Sequence, residues 1–144
     1  LSRSGSRFID LLQWVGTKDP SAYLSVPAAI AFRKEHDWAK VQRRAKKCLD
    51  LAIELIATRP GYASSYTDGG NFTQMASIQI PSGFDVPRLK SYLYDEHKVE
   101  LPVIEWNGTK LIRISINGYN NEEDIDLLLS AMKKAEKHFG IKVG

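Results

Sequence analysis

The sequence predicts an α+β fold, a two-layer sandwich in which a small antiparallel sheet of about three strands is covered by helices. Three observations predict it. Asn107-Gly108 is the dipeptide suited to a type I′ turn, and strand-forming residues flank it, so residues 102–106 and 109–117 read as a hairpin. Residues 75–80 alternate apolar and polar as a half-buried strand does. Residues 37–58, and the stretch that follows Asn120, repeat apolar side chains at three- and four-residue steps, the period of a helix lying on a core.

In chain order, residues 7–15 are expected to be extended and to end at Gly16-Thr17. Asp19-Pro20 then reads as an N-cap followed by proline at the first helical position. The helix it opens is expected to turn Ala22, Val26, Ala29, Ile30 and Phe32 toward the core, with Pro27 kinking it or restricting it to short pieces. From Asp37 to about Thr58 a longer helix aligns Trp38, Val41, Ala45, Cys48, Leu49, Ala52, Leu55 and Ile56 on one stripe. Pro60-Gly61 stops it, and the Ser, Gly and Asn content through Asn71 marks a loop. The next strand sets Ala76, Ile78 and Ile80 on one side, and Asp85 caps a third helix with Val86, Leu89 and Leu93 inward.

The hairpin follows, and its two-residue turn fixes the register. Trp106 faces Thr109, Glu105 faces Lys110 as an opposite-charge pair, Ile104 faces Leu111, Val103 faces Ile112 and Pro102 faces Arg113. Ile112, Ile114 and Ile116 therefore share the core face with Val103, while Arg113 lies on the other face with Leu111, Ser115, Ile104 and Trp106. Asn120 with Glu123 three places on resembles a capping box for a last helix. Its apolar face is Ile125, Leu128, Leu129, Met132, Ala135 and Phe139, and Gly140 is its C-terminal stop. Residues 37–144 carry enough apolar stripe to form a domain, and residues 1–36 read as a separate, less self-sufficient segment.

Composition narrows the function. With 43% hydrophobic and 26% charged residues, 144 residues suit a globular protein, and no apolar run is long enough to span a bilayer. Leu1, followed by Ser2-Arg-Ser-Gly-Ser6, resembles neither a secretion signal nor a strong structural start, so a fragment is expected. One cysteine, Cys48, excludes an intrachain disulfide framework and fits a reducing, cytoplasmic setting. It reads as a small buried hydrophobe. His36, His97 and His138 lack ligand spacing and read as surface or helix-end residues, so no metal site is expected. The sequons at Asn71 and Asn107 read as chance. The net charge of +3 is small, and its source, including Arg33, Lys34, Lys40, Arg43, Arg44, Lys46 and Lys47, reads as the solvated side of helices, so no nucleic-acid partner is expected.

Arg113 has two readings. An arginine on a half-apolar strand face can lay its stem over Trp106 or a neighbour. Its planar fork also matches a carboxylate, and a charge-assisted bond of that kind, worth about 1.5–3 kcal/mol, would orient a small amino acid. Spacing leaves both open.

Two separated motifs, Gly16-Thr-Lys-Asp-Pro-Ser-Ala-Tyr-Leu-Ser-Val-Pro-Ala-Ala-Ile30 and Leu111-Ile-Arg-Ile-Ser-Ile-Asn-Gly-Tyr-Asn-Asn-Glu-Glu-Asp-Ile-Asp126, resemble the C-terminal part of class V aminotransferase-like enzymes, especially the isopenicillin N epimerase-like group. With Met75-Ala-Ser-Ile-Gln-Ile-Pro81 and Leu101-Pro-Val-Ile-Glu-Trp106 the resemblance covers nearly the whole chain after Arg7. These are pyridoxal-phosphate enzymes of fold type I. The resemblance implies that Arg113 grips the substrate α-carboxylate from the small C-terminal domain. It implies that Gly16 and Thr17 form the Gly-Thr loop whose threonine reaches the cofactor phosphate bound in the other subunit of a homodimer. Asp19, capping the following helix, would repel an anion on its axis, so the Thr17 contact is expected from the side.

The Schiff-base lysine, the residue stacked on the cofactor ring and the aspartate paired to its nitrogen lie upstream in this family. The chain therefore carries no catalytic residue of its own and should be inactive alone, and neither Lys18 nor Lys110 takes the lysine's role. Cysteine desulfurases resemble the sequence too, but they place a cysteine shortly before the arginine, and residues 95–112 contain none. Epimerase, aminotransferase or carbon–sulfur lyase chemistry on an amino acid is expected of the whole protein, with a stand-alone interaction domain as the alternative.

Overall fold

The computed structural model describes residues 4–13, 16–66 and 74–142. The chain divides into two compact units, residues 1–38 and 39–144.

The first unit holds α1 (Arg7–Gln13), α2 (Ser21–Leu24) and α3 (Val26–Glu35). Residues 7–13 are thus helical where an extended segment was expected; Phe8, Leu11 and Leu12 lie at helical steps within them, and Ile9 N–H approaches Ser6 Oγ (3.4 Å) at the first turn. Trp14 and Val15 fall outside the described residues. Pro27 does divide the next helix, standing in the first turn of α3 where its missing N–H costs nothing. The expectation that Ala22, Val26, Ala29, Ile30 and Phe32 are buried does not hold. None of the three helices buries a residue, and Leu24 and Phe32 are 73% and 50% exposed.

The second unit contains α4 (Trp38–Ala57), β1 (Ala63–Ser64), β2 (Met75–Gln79), α5 (Val86–His97), β3 (Val103–Trp106), β4 (Thr109–Ser115) and α6 (Glu122–His138). The sheet is antiparallel with four strands in the order β1-β2-β4-β3, one more than expected. The added strand is the two-residue β1, too short to register in a Ser- and Gly-rich loop. The hairpin has the register deduced from its turn, and both Asn107 (φ 49°) and Gly108 (φ 74°) take the left-handed conformation that type I′ requires. Glu105 and Lys110 stand opposite one another, but no ion pair joins them. Lys110 Nζ donates instead to the carbonyls of Ser82 (2.8 Å) and Phe84 (2.6 Å), tying β4 to the turn before α5.

One layer of helices covers one face of this sheet. Leu49, Ala52 and Ile56 of α4, Leu89 and Leu93 of α5, and Ile125, Leu128 and Met132 of α6 close over Ala76, Ile78, Val103, Ile112 and Ile114. Burying a side chain of this size contributes about 1.5–3 kcal/mol before chain entropy is subtracted, which makes this face the main source of stability. On the stripe of α4, Leu55 departs from the expectation and is 39% exposed.

The last helix begins one residue later than the sequence suggested. Asn121, not Asn120, is the N-cap, with its side chain accepting from the N–H groups of Glu123 (2.9 Å) and Asp124 (3.3 Å), and Asp124 accepting from Asn121 N–H. Asn120 serves the loop before it, accepting from Asn117 N–H and donating to Asp124. The expected cost of Asn121→Ala is therefore about 1 kcal/mol, read as a lower denaturation midpoint with unchanged slope, whereas Asn120→Ala costs less.

Candidate functional site

The sheet face turned away from the helices carries Arg113. Parity along β4 puts it there, with Leu111 and Ser115, while Ile112 and Ile114 fill the core. Arg113 N–H donates to Pro102 carbonyl (3.0 Å), and on the other side Arg113 stands opposite Ser77 of β2. Its side chain is half-buried, and its Nε is shut from solvent with no hydrogen-bond partner. Trp106 does not lie over it as a shield; the indole is 66% exposed at the far end of the hairpin. The face thus presents a cation with an unmet donor on a surface that no helix of the second unit covers.

The segment from β4 to α6 is held close to this strand. Gln74 Nε2 donates to Ile116 carbonyl (3.1 Å), and Arg44 of α4, exposed as expected of its basic face, also donates to Gly118 carbonyl (2.6 Å). Tyr119, at the tip, is 83% exposed.

In the first unit Gly16 (φ 69°) and Thr17 precede α2. An added Cβ at Gly16 would meet no atom within 4 Å, so its conformation, not crowding, accounts for glycine there. Thr17 is exposed and its hydroxyl makes no hydrogen bond among the described residues. Asp19 accepts from Ser21 Oγ and from Ser21 N–H (2.9 Å), and these two donors, the hydroxyl first, hold its carboxyl below the usual range. Pro20, not Asp19, is the N-cap of α2, and no side chain caps the helix, so the cap expected at Asp19 is replaced by its contacts with Ser21. Lys18 Nζ donates to Tyr23 Oη (2.7 Å).

Cys48 is buried, and burial together with the carboxylates of Glu122 and Asp124 pushes its thiol up against the weaker opposing pull of Arg44. It stays a neutral thiol. The histidines are helix-end residues as expected, although His97 and His138 both meet the Tyr92 ring, edge-on at 5.1 Å and stacked at 4.5 Å. Among the described residues no three His, Cys, Asp or Glu side chains group as a metal site.

No family model matches the chain. It is 31% identical over 122 residues to the isopenicillin N epimerase of Streptomyces clavuligerus, an alignment covering 84% of this chain and 31% of that protein. It is 27% identical over 127 residues to the isopenicillin N epimerase of Amycolatopsis lactamdurans, covering 88% of this chain and 32% of that protein. The chain is thus similar to the isopenicillin N epimerase-like group of class V aminotransferase-like enzymes. It spans about a third of the length of these epimerases. Solved structures agree on the fold. A cysteine desulfurase from Escherichia coli matches 87% of this chain with a TM-score of 0.70 at 19% identity, and covers 32% of its own length. An 8-amino-7-oxononanoate synthase from Francisella tularensis matches 97% with a TM-score of 0.65 at 15% identity, 41% of its own length.

Within this epimerase-like chain, two residues near the second unit's polar groups escaped sequence reasoning. Ser77 comes opposite Arg113 only through the β2–β4 register, which no short turn sets. Glu136 is 6% exposed although glutamate on a helix normally faces water; its position beside Ala135, four residues after Met132, was the available signal.

Proposed function

We propose that the chain is the C-terminal part of a pyridoxal-phosphate-dependent enzyme acting on an amino acid, by epimerisation, transamination or carbon–sulfur lysis. Residues 1–36 are the end of the large-domain segment with its Gly-Thr loop, and residues 37–144 are the small domain. Arg113 holds the substrate α-carboxylate, and Thr17, beside Gly16, touches the cofactor phosphate bound in the other subunit of a cytoplasmic homodimer. The observation that carries the reading is the Arg113 guanidinium itself, half-buried on the helix-free face of the sheet with a donor left unpaired. The two terminal nitrogens of its planar fork match the two oxygens of a carboxylate, and an acid group drawn to that face would pair the cation.

Pyridoxal phosphate, when bound, supplies an electron sink for the charge that develops at the substrate carbon. The residues present fit an accessory role toward it and no more. Thr17 has an exposed hydroxyl, without a hydrogen bond among the described residues, to donate to a phosphate oxygen. The lysine that carries the cofactor is assigned upstream, in keeping with a chain one third the length of its relatives. The exposed Phe8, Leu11, Leu12 and Leu24 of the first unit fit a segment whose packing partners lie elsewhere in the whole protein. No cysteine stands between residues 95 and 112, so persulfide chemistry of the desulfurase type is not assigned.

Purified 1–144 is expected to turn over no amino acid when pyridoxal phosphate is supplied, whereas the full-length protein does so and develops the visible absorbance of the bound cofactor. Turnover by 1–144 alone would overturn the division of labour proposed here.

A further inference from the structure

We propose that Ser77 is the positioning residue for Arg113, its hydroxyl taking the Nε–H so that the two terminal nitrogens of the fork are left for an acid group. The inference rests on the reading of Arg113 as the carboxylate holder and deepens it.

The geometry of the ladder carries the argument. Ile80 N–H donates to Lys110 carbonyl (2.9 Å) and Ile116 N–H donates to Gln74 carbonyl (2.8 Å), so the pairs 80/110 and 74/116 are hydrogen-bonded. In an antiparallel ladder such pairs alternate with non-bonded ones. Counting from either end, Ser77 and Arg113 form a non-bonded pair, the kind whose Cα atoms approach to about 4.5 Å and whose side chains come closest. Their backbone groups point outward in agreement, Arg113 N–H to Pro102 carbonyl and Ser77 carbonyl to Ser65 N–H. Both side chains rise from the helix-free face.

Two unmet groups are thereby set side by side. Arg113 Nε is buried and without an acceptor, and the half-buried Ser77 hydroxyl makes no hydrogen bond among the described residues. On the β3 side the neighbour is Pro102, which has no side-chain acceptor. The polar side chain of Gln79 stands one diagonal away, at about 7–8 Å, and is exposed. A serine hydroxyl turns about one bond at little cost, so drawing the guanidinium toward a bound acid closes the Ser77–Nε contact without moving the strand. An arginine held at Nε loses less freedom on gripping a carboxylate, which is the gain expected of a positioning partner.

The test uses the full-length protein, with steady-state kinetics on its amino-acid substrate and inhibition by propionate, a carboxylate lacking the amino group. Ser77→Ala is expected to raise both KM and the propionate inhibition constant roughly three- to tenfold, with kcat within about twofold. Ser77→Thr, which keeps the hydroxyl, restores both, and Ser77→Val, its isostere without one, does not. Gln79→Leu leaves both unchanged. If Ser77→Ala moves neither quantity while Arg113→Lys raises both, Ser77 has no such role and the carboxylate reading stands. If Arg113→Lys also moves neither, the carboxylate reading itself falls. Equal effects of Ser77→Thr and Ser77→Val would make the position one of shape and overturn the hydroxyl's part.

Discussion

Replacing Arg113 by alanine in the full-length protein is expected to raise KM for the amino-acid substrate by roughly 10- to 150-fold, the kinetic equivalent of the 1.5–3 kcal/mol that a charge-assisted hydrogen bond contributes. The effect should fall on KM more than on kcat, because the acid group is held alike before and during the reaction, and uniform binding of that kind does not alter the chemical step. Arg113→Lys keeps the charge and loses the fork, so an intermediate rise is expected. Substrate offered as its amide should bind weakly to the native protein and lose little more in the alanine variant. Stability gives the contrasting readout. The Arg113 side chain makes no hydrogen bond that the fold depends on, and its Nε is an unmet donor, so its removal should change the unfolding free energy by less than about 1 kcal/mol. A variant with unchanged KM and a large loss of stability would make Arg113 a structural cover for its sheet face.

How much of this was legible in the sequence follows from the range of the forces involved. The hairpin register came out in full because a two-residue turn sets it locally, and Asn107-Gly108 names the turn. The buried stripes of α4 and α6 came out because an apolar face of that length has one periodic solution. Residues 7–13 were misread because seven residues fit either period. The inward face assigned to residues 22–32 failed for another reason. Periodicity reports which side of a helix is apolar, and the partner that would cover it is not among the described residues. At the site, the chemistry of Arg113 and its face were visible, but the neighbour across β2 was not. Pairing between β2 and β4 joins strands with a helix and another strand between them in the chain, and is decided by the core, with no local signal. The Glu105–Lys110 pair shows the same limit in reverse, since a correct register did not fix where a long ammonium side chain ends.

The largest effect on folding is expected from Glu136. Its carboxylate lies inside the second unit, and a single oxygen, Oε1, accepts from Arg59 Nη2 (2.5 Å) and from Tyr62 Oη (2.6 Å). Arg59 also lies over the Tyr62 ring, 5.2 Å from its centroid, so the three side chains close the end of α4 and the entry to β1 onto α6. Removing one partner of a buried pair strands the other, and the usual cost is about 3–5 kcal/mol. Arg59 keeps 22% of its side chain exposed and can turn partly to water, which lowers the expectation for Glu136→Ala to about 2–4 kcal/mol. Glu136→Gln, which still offers a carbonyl oxygen to both donors, should lose less. The triple variant Arg59→Met, Tyr62→Phe, Glu136→Leu should be near neutral or stabilising, because no charge or hydroxyl is then left unpaired. Equilibrium denaturation of each variant measures the series, and a triple variant weaker than Glu136→Ala would contradict the account. The same cluster sets an alkaline limit. Burial first, then the hydrogen bond and charge of Glu136, push the Tyr62 phenol far above its usual range, with Arg59 opposing. A folded-state pKa raised above the unfolded one favours the fold fully below about pH 10, where unfolded tyrosine is protonated, and that stability is lost as pH rises beyond it, by up to about 1.4 kcal/mol per unit. Tyr62→Phe should remove this slope.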